Sequence, residues 1–127
     1  MDWNDLPASA KRAYSDAKRR AKERGSLILS RGEFCEIWER ADGRCELSGI
    51  LFSDEVEMYS PETGYRRLTA FPWQPSLDQV TPGMGYSRDN CQLVCKCVNI
   101  GKSSYHTETF ERWVLAAADR IRTKGRS

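Results

Sequence analysis

Residues 75–104 read PSLDQVTPGMGYSRDNCQLVCKCVNIGKSS, and this stretch decides the fold. Ser76, Leu77, Asp78, Gln79 and Val80 alternate polar and apolar, the period of a half-buried strand. Pro82-Gly83-Met84-Gly85 must turn, because proline fixes its own φ and glycine supplies the positive φ that tight turns need. A loop follows, and Cys91, Leu93 and Val94 lead into an apolar run that continues as a helix through Asn99 toward Lys102. The pattern is strand, loop, strand, helix. Asp78 falls on the first strand and Asn99 on the helix.

That order of elements resembles the HNH endonucleases of the ββα-metal class, in particular their compact phage and prophage forms. The likeness covers about residues 44 to 104, from the turn Arg44-Cys45-Glu46-Leu47-Ser48-Gly49 to the helix. Its specific part is 77 to 102. The resemblance implies an α+β fold with a ββα-metal centre, in which Asp78 and Asn99 hold one divalent ion and Asn90 braces the loop between them. It also implies an endonuclease that hydrolyses phosphodiester bonds in nucleic acid, with DNA the favoured substrate.

The residue after the strand ligand is normally a histidine that activates water, and here it is Gln79. An amide cannot accept a proton at neutral pH, so Gln79 can orient a water or touch a phosphate without acting as general base. Loss of a general base costs about 10²- to 10⁴-fold in rate, part of which a metal offsets by acidifying its own water. The other candidates for proton transfer are Tyr86 and the single histidine, His106. On an unbroken helix His106 would lie about 10 Å along the axis from Asn99, too far to share an ion. A loop or solvated role suits it better, and packing suits Tyr86.

A carboxylate and an amide oxygen are hard donors, which favours Mg²⁺ or Mn²⁺ with retained waters over zinc. Lys102, one turn beyond Asn99, is placed to meet phosphate as a point charge. Five cysteines stand at 35, 45, 91, 95 and 97. In HNH proteins two Cys-x-x-Cys knuckles often hold a structural zinc, and Cys45 and Cys95 match the first cysteine of each. The second positions are Ser48 and Val98, and two thiolates do not close a four-donor site. A set of Cys45, Cys91, Cys95 and Cys97 has unusual spacing. A zinc-free fold is expected, with the cysteines packed as small apolar groups in a reducing cytoplasm.

The 127 residues suit one domain, and 39% hydrophobic content with four tryptophans argues against disorder. Net charge is only +2, yet its distribution is uneven. Lys11, Arg12, Lys18, Arg19, Arg20, Lys22 and Arg24 make one end basic, and Arg120, Arg122, Lys124 and Arg126 the other. Such ends can grip phosphates, with Arg19, Arg20 and Lys22 the nearest candidates beside Lys102. No apolar run is long enough for a membrane span.

Around the centre, a basic helix or arm is expected over 5–25, with Asn4 or Asp5 as cap and an apolar stripe poor in large side chains. The core proper is assigned to 30–104, opening with the capping box Ser30-Arg31-Gly32-Glu33 and a helix that carries Phe34, Ile37, Trp38 and Ala41. A hairpin insertion is expected between 55 and 69, Trp73 reads as a core plug, and Thr107 is placed to cap a helix over 107–123 that packs on the centre. A second reading of the whole is a catalytically inactive protein of the same fold that binds nucleic acid or modulates a protein partner. A homodimer would suit cleavage of both strands of a duplex.

Overall fold

A computed structural model of the chain describes residues 1–26, 28–56 and 71–125. The architecture is α+β. Helices α1 (Ala8–Glu23) and α2 (Arg31–Ala41) precede an antiparallel pair of strands, β1 (Pro75–Gln79) and β2 (Cys91–Cys95), which is followed by α3 (Lys96–Lys102) and α4 (Thr107–Thr123). The hairpin expected over 55–69 falls almost wholly outside the described residues. Among those residues no helix is long and apolar enough to cross a membrane.

The two strands pair with Leu77 opposite Leu93 and Asp78 opposite Gln92. Because side chains alternate across a strand, Leu77 enters the core with α1 and α2, while Ser76 and Asp78 turn toward α3. The loop between the strands is drawn together by amides. Asn90 Oδ1 accepts from Thr81 N at 2.9 Å, and its Nδ2 donates to the carbonyls of Thr81 and Gly85 at 3.1 and 2.8 Å. Gly83 and Gly85 both hold φ near +90°, which spares the turn the steric cost a side chain would add.

Helix α1 is not a free arm. Its stripe of Ala10, Ala13, Ala17 and Ala21 is buried, and the small side chains allow the helix axis to come close to β1. Arg20 fixes the approach from the rim, donating from Nη2 to the Leu77 carbonyl at 3.2 Å. Tyr14 makes up for the missing bulk. It meets Trp3 and Phe34 edge to face at 5.1 and 5.3 Å, and its hydroxyl donates to the Leu29 carbonyl at 2.9 Å. The helix starts after Pro7, without the side-chain cap expected from Asn4 or Asp5, since Asp5 closes a short 3₁₀ turn of its own.

Helix α2 opens with both halves of the expected capping box, Ser30 Oγ accepting from Glu33 N and Glu33 Oε1 from Ser30 N. Arg40 near its end forms a forked pair with Glu46, whose Oε1 also accepts from Leu93 N at 2.8 Å. That carboxylate ties α2, the 44–50 turn and β2 together. Trp73 is half-buried against Cys45, Val94 and Cys95, in keeping with the plug expected there.

Close approach of α1 makes a definite prediction. Ala17→Leu should lower stability by about 1–3 kcal/mol through overpacking, measured by urea unfolding. The same change at exposed Ala116 should cost nothing measurable.

Candidate functional site

Asp78 is buried on the face of β1 that meets α3, and two donor side chains hold its carboxylate. Gln92, directly opposite on β2, donates from Nε2 to Oδ2 at 2.9 Å. The ammonium of Lys102 lies 3.2 Å from Oδ2 and 3.4 Å from Oδ1, and donates to the Gln79 carbonyl at 2.8 Å. Lys102 has no exposed surface at all. Its burial near the end of α3 departs from the phosphate contact expected of it, because reaching a phosphate would require it to leave Asp78.

Asn99 stands one turn before Lys102 on the same helix. Its Nδ2 donates to Ser76 Oγ at 2.7 Å, so Oδ1 is the atom left to meet a ligand. Asp78 and Asn99 both line one cavity of about 390 Å³, together with Arg20, Arg24, Gln79 and Tyr86. The strand carboxylate and the helix amide therefore converge on shared space. Arg20 reaches it from α1 and also donates from Nε to the Tyr86 hydroxyl at 3.2 Å. Arg24 belongs to the same wall, a neighbour that charge counting along the sequence did not separate from the rest. Arg19 and Lys22 point to solvent elsewhere on α1, and neither lines the cavity.

Gln79 sits at the cavity edge with its carbonyl committed. Oε1 accepts from both Gly83 N and Gly85 N, at 3.1 and 3.0 Å, so this side chain holds the turn closed. Orienting a water would fall to its Nε2. His106 lies in the loop between α3 and α4, as expected, and there caps the following helix. Nδ1 accepts the Glu108 N–H as the cap of α4, which places the ring proton on Nε2, 3.1 Å from Thr81 Oγ1. The cap is thus His106 and not Thr107, whose hydroxyl donates to the Val80 carbonyl at 2.8 Å. The helix from Asn99 is interrupted at Ser103, where φ is +51°.

Burial pushes the Asp78 carboxyl above the ordinary carboxylate range, and Gln92, Lys102 and Arg20 pull the other way. Its donors and those of Asn99 suit a hard cation: two oxygens, one anionic, with room for several waters. Lys102 competes for the same carboxylate.

The sulfur pair expected not to hold zinc is assembled all the same. Cys45 and Cys95 meet in a small buried cluster with Val94. The Cys95 thiol and the Ser48 hydroxyl donate to Cys45 and lower its pKa, while Cys95 is shifted upward by giving its proton to that bond. Cys91 lies in the other cluster, where burial raises its thiol to about 12, and Cys97 is exposed. Among the described residues no three of His, Cys, Asp and Glu come together as metal ligands, so the rearranged cysteine set does not form.

Comparisons with protein-family models, with characterised proteins and with solved structures found no match for this chain.

The ion pair carries a pH-dependent prediction. A carboxylate raised in the folded state loses stability as pH rises from its unfolded to its folded pKa. Without Lys102 the rise is larger, so Lys102→Met should cost about 3–5 kcal/mol above that window and less where Asp78 is protonated. Urea unfolding of wild type and variant across the acid range measures it. A loss independent of pH would contradict the pairing.

Proposed function

We propose that this chain is a metal-dependent endonuclease of HNH type, with a ββα-metal centre that acts on phosphodiester bonds, DNA being the favoured substrate. The observation that carries the reading is the shared cavity of Asp78 and Asn99, walled by the guanidinium side chains of Arg20 and Arg24. A polyanion is drawn to such a wall, and its phosphate can come to rest beside the carboxylate only if positive charge offsets Asp78. Arg20 is already braced by Tyr86 and Leu77, so little rotamer freedom is lost on contact.

Asp78 and Asn99 are the residues that would hold Mg²⁺ or Mn²⁺, with Ser76 orienting the amide. When bound, the ion supplies Lewis acidity and a bound water of lowered pKa. The need for that chemistry is set by the chain itself. Gln79 cannot take a proton and His106 is engaged as a helix cap, so neither serves as general base. Asn90 keeps the loop rim at Thr81 and Gly85 in place, and Gln79 secures the glycines between them.

One observation favours a second reading. The Lys102 ammonium already satisfies Asp78 from a position without solvent. A protein of this fold that had given up its metal would place an internal cation there, and could still bind nucleic acid or a protein partner with its basic wall.

Plasmid nicking in Mn²⁺ tests the proposal. Asp78→Asn is the proper variant, because truncation to alanine would strand the buried ammonium of Lys102. We expect Asp78→Asn and Asn99→Ala to lower nicking by about 10²-fold or more with circular dichroism unchanged. Absence of Mg²⁺- or Mn²⁺-dependent cleavage of plasmid, single-stranded DNA and RNA would defeat it. Retained DNA binding in that case would favour the second reading.

A further inference from the structure

Cys45 and Cys95, far apart in sequence, are 1% and 0% exposed and pack together beside Val94. Backbone bonds hold each of them in place. On the turn, Cys45 N donates to the Ile50 carbonyl and Gly49 N to the Cys45 carbonyl, both at 2.8 Å. The next residue, Glu46, donates from N to the Leu93 carbonyl at 2.9 Å, and its Oε1 accepts from Leu93 N. On the other side Cys95 ends β2, and Lys96 N donates to the Gln74 carbonyl at 2.9 Å. The two sulfurs are thus brought together by bonds in which neither takes part.

Buried cysteines usually pack as small apolar groups. Cys91 behaves that way, its thiol raised to about 12 chiefly by burial. Cys45 has different surroundings. Its Sγ accepts from the Cys95 thiol, from the Ser48 hydroxyl and from the amides of both residues, which lowers its pKa in spite of burial. Ser48 is exposed, so one donor to this sulfur stands in solvent. The pair therefore combines an activated sulfur with a second thiol already in contact with it.

We propose that Cys45 and Cys95 form a reversible disulfide under hydrogen peroxide, locking the 44–50 turn to the head of α3. The Cys45 thiolate attacks one peroxide oxygen and breaks the O–O bond. This leaves a sulfenic acid on Cys45 and releases hydroxide, which takes up a proton to become water. The Cys95 sulfur then attacks the sulfenic sulfur, the S–O bond breaks, and the oxygen leaves with the Cys95 proton as a second water. Two thiols are oxidised and one peroxide is reduced. Bringing the sulfurs to about 2.0 Å asks the turn to move inward, and it is a surface segment with Gly49 at φ +77°. Cys95 immediately precedes α3, whose later residues include Asn99 and Lys102. The bond would fix the start of the helix that shapes the cavity, whatever occupies that cavity.

Peroxide treatment of the folded full chain, followed by alkylation of the remaining thiols and peptide mapping without reductant, provides the test. The expected product is a cross-link between the Cys45 and Cys95 peptides of one chain, reversed by dithiothreitol. Hydrogen exchange should slow in the 44–50 turn and in α3, and the urea midpoint should rise, because closing so long a loop restricts the unfolded chain. Cys45→Ser and Cys95→Ser should each abolish the cross-link, and Cys97→Ser should leave its yield unchanged. Mapping of the wild type decides the matter even if a serine variant folds poorly. Peroxide that leaves both thiols open to alkylation, or that joins Cys45 to another cysteine, overturns the proposal. So does a cross-link that appears only in urea, where the fold no longer brings the sulfurs together.

Discussion

A lysine ammonium without access to water holds this structure's centre together. Lys102 bridges the Asp78 carboxylate and the Gln79 carbonyl, and in doing so pins the end of α3 to β1. Taking a charge out of water is costly, so the geometry around it has to be well made. Gln92 opposite Asp78 and Thr107 at the start of α4 complete the surroundings. Loosening that pair would leave α3 attached to the strands through Asn99 and Ser76 and through backbone contacts with Pro72 and Gln74. The cavity shared by Asp78 and Asn99 exists because α3 is held at this angle.

The same interaction sets the chemistry in tension. A hard cation would have to compete with an ammonium for one carboxylate, and burial has already raised the proton affinity of that carboxylate. Metal binding at Asp78 therefore has to be strong enough to oppose Lys102 or to move it. Arg20 acts on Asp78 in the same sense as Lys102, and Arg24 stands beside it on the cavity wall. They add positive charge at the rim, where a phosphate would neutralise it.

Much of the centre is legible in the sequence. Alternation over Ser76 to Val80, the glycines after Pro82 and the apolar run from Cys91 locate both strands and α3 nearly to the residue, because local pattern and turn chemistry agree there. The capping box of α2 is equally local. Asn90 braces the loop through three bonds to residues five and nine positions away, still within reach of a motif.

What escaped the sequence are contacts between distant segments. The alanine stripe of α1 reads as too weak a face to dock, yet small residues are what close packing on a strand needs. Lys102 reads as a surface lysine because nothing local announces that α3 will be buried over Asp78. His106 is a cap only because the chain breaks at Ser103, and Cys45 meets Cys95 across the whole 44–95 segment.

The claim on which the account stands is that Asp78 and Asn99 take a hard divalent cation despite Lys102. Titration of the intact protein with Mn²⁺, followed by calorimetry or by loss of the free-ion resonance signal, tests it directly. The account predicts one site per chain, weakened about ten-fold or more by Asp78→Asn, and tightened by Lys102→Met at a pH where Asp78 is ionised. No uptake by the wild type, or uptake that neither substitution alters, would contradict it.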